Sequence, residues 1–182
     1  VVFMAHDRGP RKGKRPLEPV PACAAARIRR STIRSACGDP ASRFAAAAWC
    51  CFISCTASLL AAYLPEPEAT AIFSRPDLKA AGVFAPRGKA LRTTQNGVAG
   101  LRVSGRWAWG SGAHNADIVT AGCLLFGDDG KPQLGADGGP RVLSVVLMRA
   151  QVRLVDNWDS HGLCGTGSGE FEVADAFVPL SR

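Results

Sequence analysis

Two hydrophobic periods divide the chain. From Phe44 to Leu64 (FAAAAWCCFISCTASLLAAYL) no residue is charged. Asp39-Pro40 ahead of this run and Leu64-Pro65-Glu66-Pro67 behind it read as a helix start and stop, so one long helix is predicted from about Pro40 to Leu64. A short helix, Ala69 to Phe73, follows. From Ala81 onward the period changes to two. Leu101, Val103, Trp107 and Trp109 fall on one face, Arg102, Ser104 and Arg106 on the other, as in a half-buried strand. Gln95-Asn96-Gly97 marks a hairpin tip, because Asn and Gly both tolerate positive φ. Ile118 to Phe126 and Arg141 to Met148 are nearly continuous apolar runs, as expected of strands covered on both faces. Gln151 to Val155 and Glu170 to Phe177 alternate again. Gly127-Asp128-Asp129-Gly130 and Asp137-Gly138-Gly139-Pro140 supply turns.

Five or six strands joined without intervening helices predict an antiparallel barrel or sandwich of about 100 residues, not a parallel α/β sheet. The fold class read from the pattern is therefore α+β. It comprises an unmatched basic tail (1–39), the end of a helical layer (40–80) and a β-domain (81–182). The hydrophobic fraction of 47% suits a chain with a packed core. The net charge of +7 is confined to residues 1–43, which hold ten basic and three acidic residues. The remainder is balanced, so the folded part offers no basic face and no nucleic-acid partner is expected. Residues 1–40 carry five prolines and no apolar period. The tail reads as unstructured in preference to a nucleic-acid or lipid-binding arm, for it lacks interleaved aromatics.

The uncharged run meets the length of a membrane span, about 20 residues. Its content of Ala, Ser, Thr and Cys favours a buried helix, with a span as the alternative. Seven cysteines and no export signal point to a reducing, cytoplasmic setting. Cys51 and Cys55 share a helix face, but no partner with zinc spacing accompanies them, so no metal is expected. Gly165-Thr166-Gly167-Ser168-Gly169 lacks the spacing of a dinucleotide fingerprint and precedes a strand. Ser160, His161 and Asp156 or Asp159 lie too close in sequence to converge as a triad. His114 and His161 read as structural or solvated, and no carboxylate pair stands out.

The hairpin at 81–112 carries the most specific chemistry. It brings tryptophans to a Gly110-Ser111-Gly112 mouth, whose backbone N–H groups could hold a flat, polar-edged ring. The alternative is a sheet with aromatics in its core.

Three blocks in order resemble the acyl-CoA dehydrogenase superfamily, and more closely its flavin-dependent monooxygenase branch of two-component hydroxylases. They are Phe84-Ala85-Pro86-Arg87-Gly88-Lys89-Ala90, then Val103-Ser104-Gly105-Arg106-Trp107-Ala108-Trp109-Gly110-Ser111-Gly112, then Gly162-Leu163-Cys164-Gly165-Thr166-Gly167-Ser168 with Val173 to Pro179. The resemblance covers roughly Gly38 to Arg182. It implies that 81–182 is the family's middle β-barrel. Trp109 and Gly110 depart from the pattern, where a smaller aromatic and Ser or Ala are usual.

The resemblance implies FAD or FMN as cofactor, taken in reduced form from a separate flavin reductase. It also implies a small-molecule substrate, aromatic or related, which receives an oxygen atom, and a homotetramer in complete members. The implied flavin-binding residues are the backbone at Phe84 and Ala85, the Ser111 hydroxyl and N–H near the ring's N5, Trp107 and Trp109 as walls, and Gly110 and Gly112 around them. Acyl-CoA dehydrogenation and a non-catalytic binding module are the alternatives. The family's C-terminal helical bundle would begin where this chain stops. The expectation is thus a fragment that lacks the catalytic module and does not turn over substrate by itself.

Overall fold

A computed structural model of the chain describes residues 52–161 and 163–182. The basic tail and the first half of the uncharged run lie outside the described residues. Residues 52–58 are α-helical and tighten into a 3-10 turn at Leu59–Tyr63 before Pro65 ends the segment. The stop therefore falls where the sequence places it. Ala57 and Leu60 are its buried residues. Helix α1, Glu66–Phe73, starts three residues before the expected Ala69, with Pro67 in its first turn and Glu66 and Glu68 at its positive end. Among the described residues no helix is long and apolar enough to cross a membrane.

The strands are β1 (Ala80–Gln95), β2 (Val98–Trp107), β3 (Ile118–Phe126), β4 (Val142–Met148), β5 (Arg153–Val155) and β6 (Glu170–Pro179). Asn96 and Gly97 both take positive φ, 51° and 78°, and close the β1–β2 hairpin as the Asn-Gly signal requires. One sheet holds all six in the order β4-β3-β1-β2-β6-β5.

Two expectations are corrected here. The sheet does not close: β4 and β5 are its hydrogen-bonded edges, although it coils enough to bring β4 against β6. Nor is it wholly antiparallel, because β1 and β3 pair in parallel. The cause is the order of folding along the chain. β2 turns back along one side of β1, and the segment after Trp107 then carries the chain across to β1's other side. A second reversal of direction leaves β3 running with β1.

Alternation sorts the core into two faces. Ala81, Val103, Trp107, Val119, Ala121, Cys123, Val145, Leu147, Phe171 and Val173 form the larger cluster. Ala80, Ile118 and Val146, the neighbours on the opposite face, pack with Ala57 and Ile72 beneath the helical segment. The helical residues are tied to the sheet by a polar contact too, since the Ala80 N–H donates to Ser54 Oγ at 2.9 Å. Burial on both faces accounts for the unbroken apolar run of β3. On the outer face Arg102 pairs with Asp175, and Arg106 with Glu170 and Glu172.

Burial pushes the Cys123 thiol up to about 12, which holds it as unreactive thiol at neutral pH. Iodoacetamide at pH 8 is therefore expected to modify the exposed Cys55 and spare Cys123 until the protein unfolds, as read by peptide mass mapping. Equal labelling rates would contradict a β3 buried on both faces.

Candidate functional site

The site is built where the β1–β3 ladder breaks. Val83 pairs with Ala121 and Gly88 with Cys123, so four residues of β1, Phe84 to Arg87, stand opposite the single residue Gly122. Phe84 to Arg87 have no ladder partner in β2 either, because that register starts at Lys89 and Ser104. This is a β-bulge of the kind that re-aims a strand. It lies directly over Gly122, where an added Cβ would collide with the Phe84 carbonyl and meet the Ala85 carbonyl at 2.7 Å. Glycine is required there. The bulge is solvent-exposed, and Phe84 keeps 43% of its surface open.

Opposite the bulge, the buried Gly122 carbonyl accepts the Trp107 indole N–H at 2.8 Å. Trp107 is fully buried and stacks on Phe171 with centroids 5.1 Å apart and planes 14° off parallel. Its ring fills the room left by Gly88 and Gly105, where added side chains would overlap it. The residue expected as a wall of the site is instead the post behind it. It joins the end of β2 to β3, to β6 and to the ground beneath the bulge.

The chain turns sharply after Trp107. Trp109 adopts φ 64°, in the left-handed region that costs a bulky residue about 1–2 kcal/mol, and is 74% exposed. The alternation that placed Trp109 with Leu101, Val103 and Trp107 ends one turn too early for it, so Trp109 leaves the core face. The expected mouth of open N–H groups is also corrected. Gly110 N–H donates to the Gly169 carbonyl at 2.8 Å, Ser111 N–H to Trp109 at 2.8 Å and Gly112 N–H to Thr166 at 3.2 Å. These bonds lock the loop 108–112 against the loop before β6. Gly110 must lack a side chain, since a Cβ would sit 2.9 Å from the Phe171 ring, and Gly112 takes φ 76°.

What remains for a ligand at this loop is the half-buried Ser111 side chain and the exposed Trp109 ring. Ser111 Oγ lies 2.6 Å from Ser168 Oγ, which lies 2.6 Å from Thr166 Oγ1, and Thr166 donates to the Leu163 carbonyl at 2.8 Å. Thr166 and Ser168 are among the few buried polar side chains. Sequence reasoning passed over both when it set aside Gly165–Gly169 as a phosphate loop. The signal available was the pair of hydroxyl residues spaced by glycine, which can fold under a neighbouring serine. Among the described residues, no group of three or more His, Cys, Asp or Glu could hold a metal.

Comparison with known proteins agrees with this architecture. No protein-family model matches the chain. A pigment production hydroxylase of Rhodococcus erythropolis is 35% identical over 110 residues, 60% of this chain and 26% of the relative. The oxygenase component of an FADH2-dependent resorcinol hydroxylase of Rhizobium is 32% identical over 124 residues, 68% of this chain and 28% of that one. Among solved structures, Streptomyces XiaF, in complex with FADH2 and glycerol, superposes with TM-score 0.64 at 28% identity, over 78% of this chain and 33% of its own. The relatives that this chain matches are flavin-dependent monooxygenase oxygenase components of acyl-CoA dehydrogenase-like fold. The chain spans about a quarter to a third of the length of the relatives it matches.

Replacing Trp107 with Phe keeps the stack on Phe171 and strips the Gly122 carbonyl of its partner. A buried acceptor left unpaired costs about 1–3 kcal/mol, so urea denaturation is expected to show that loss. Gly122→Ala should cost about as much by overpacking against the bulge. Wild-type stability in both variants would mean that this contact does not hold the site together.

Proposed function

We propose that the described β-domain is the flavin-contacting part of an oxygenase component of a two-component flavin-dependent monooxygenase. The carrying observation is that the β1 bulge and the Ser111 loop, two of the blocks on which the resemblance rests, are braced by one side chain. Trp107 bonds to Gly122 beneath the bulge and stacks on Phe171, the ring that Gly110 of the loop passes. The donor set fits a flavin ring. Trp109 and Phe84 offer exposed apolar surface, the bulge offers backbone without ladder partners, and Ser111 offers one fixed polar atom.

In this reading the backbone at Phe84 and Ala85 lies along the isoalloxazine edge and Ser111 Oγ meets the N5 region. Trp109 covers apolar ring surface, Gly110 and Gly112 permit the close approach of the loop, and Trp107 supports it from behind. The finer expectation of a closed middle barrel belongs to the same proposal, with the coiled sheet and the approach of β4 to β6 in its favour. A bound reduced flavin, FAD or FMN, supplies the electrons that activate oxygen for transfer to an aromatic or related small molecule. The chain's part is to orient the ring, hold a hydrogen bond at its edge and keep water from its face. A separate reductase as the source of reduced flavin follows from the oxygenase-component relatives, and a cytoplasmic homotetramer is proposed on the same resemblance.

Flavin titration followed by quenching of protein fluorescence tests this, since the exposed Trp109 lies beside the proposed ring. Ser111→Ala is expected to weaken binding of reduced flavin by about tenfold, the equivalent of one lost hydrogen bond. Trp109→Ala should remove most of the quench. Wild-type affinity and quenching in both variants would place the flavin elsewhere.

A further inference from the structure

Among the described residues, four that are not glycine take positive φ: Asn96, Trp109, Leu163 and Asp175. Asn and Asp tolerate that region, and each has a place there. Asn96 turns the hairpin, and Asp175 sits where the β2–β6 register slips and its carboxylate meets Arg102. Trp109 and Leu163 are bulky and have no such tolerance. One stands on each of the two interlocked loops. Trp109 already has a role in the flavin reading, and Leu163 has none.

Leu163, at φ 56°, is held firmly. Its carbonyl accepts the Thr166 N–H at 3.0 Å, the Thr166 hydroxyl at 2.8 Å and the Trp158 indole N–H at 3.2 Å. Thr166 is buried, and its own carbonyl accepts the Gly112 N–H of the Ser111 loop. The Leu163 side chain gains nothing from this, for it is 68% exposed and belongs to neither core cluster. Glycine or asparagine would keep the same backbone with less strain. What leucine alone adds is apolar surface, fixed at one place beside the candidate site. Strain that is over-determined and brings no packing gathers at active sites and ligand clamps.

We infer that Leu163 is a specificity-determining residue that grips the apolar body of the oxygen acceptor, so that the site prefers an acceptor with a second fused ring to a compact phenol. The inference rests on the flavin reading above and adds which part of the acceptor this chain recognises. An apolar contact is non-directional and scales with the area it covers. A fused bicyclic acceptor can cover Leu163 and still keep its reacting ring at the flavin edge. A single ring with polar groups on both sides offers Leu163 no comparable surface.

The test is equilibrium dialysis of 2-naphthol and of resorcinol against the full chain loaded with anaerobically reduced FMN, with a urea midpoint for every variant. The wild type is expected to bind 2-naphthol more tightly than resorcinol. Leu163→Asn and Leu163→Gly, which suit the left-handed backbone, should weaken 2-naphthol binding by about tenfold and leave resorcinol nearly unchanged. Leu163→Met, which keeps an apolar side chain, should retain most of the preference. The urea midpoint of Leu163→Asn is expected at or above that of the wild type, since strain is relieved and no packing is lost. Leu163→Gly carries the test should Leu163→Asn fail to fold. An unchanged preference in the folded variants overturns the inference and leaves the flavin reading standing. A lowered midpoint in both variants shows that the side chain serves the fold, and overturns it in the same way. No flavin binding by the folded chain in either redox state overturns the flavin reading and this inference with it.

Discussion

One hydrogen bond, from the Trp107 indole to the Gly122 carbonyl, fixes the geometry on which the candidate site depends. The β1 bulge removes the strand neighbour of Gly122 and leaves its carbonyl facing the protein interior. A buried acceptor in that position needs a donor, and the indole is one that can reach from β2 across the bulge. Its ring then stacks on Phe171 of β6, so a single side chain gathers four strands around one point. The fit leaves no slack. Gly88 and Gly105 make the slot for the ring, Gly122 makes room for the bulge, and Gly110 lets the next loop pass Phe171.

That buried post explains how exposed features nearby can be held in place. Trp109 sits in a costly left-handed conformation, and strain of this kind persists where the surroundings over-determine it. Here the N–H groups on either side of Ser111 are tied to Gly169 and Thr166. The loop is fastened by its own backbone, which leaves the Trp109 ring, and not the loop N–H groups, facing outward.

The elements that depend on local chemistry were legible in the sequence. The Asn96-Gly97 turn, the helical stop before Pro65 and the run of β3 from Ile118 to Phe126 all follow from propensity and period. The core face of β2 was legible through Trp107. The parallel pairing of β1 with β3 was not, because it is set by which side of β1 the chain takes after β2, and no local residue records that choice. The open edge between β4 and β5 is likewise a property of the whole sheet. At the candidate site, the structure corrects the exposure expected of particular atoms in the three blocks of the resemblance. Alternation carried Trp109 inward because the period has no means of announcing a left-handed residue. The Gly110–Gly112 N–H groups counted as open because their partners, Gly169 and Thr166, lie more than 50 residues away in sequence. Ser168 and Thr166 were missed for the same reason, since their meaning comes from a contact with Ser111.

In the proposed function the bulge and the two interlocked loops form one ligand-binding surface. Hydrogen–deuterium exchange of the full chain, with and without anaerobically reduced flavin, examines this directly. Binding is expected to slow exchange together across residues 83–88, 108–112 and 163–169, while β4 and the hairpin tip at Asn96 and Gly97 stay unchanged. Protection confined to other segments, or none at saturating flavin, would contradict it.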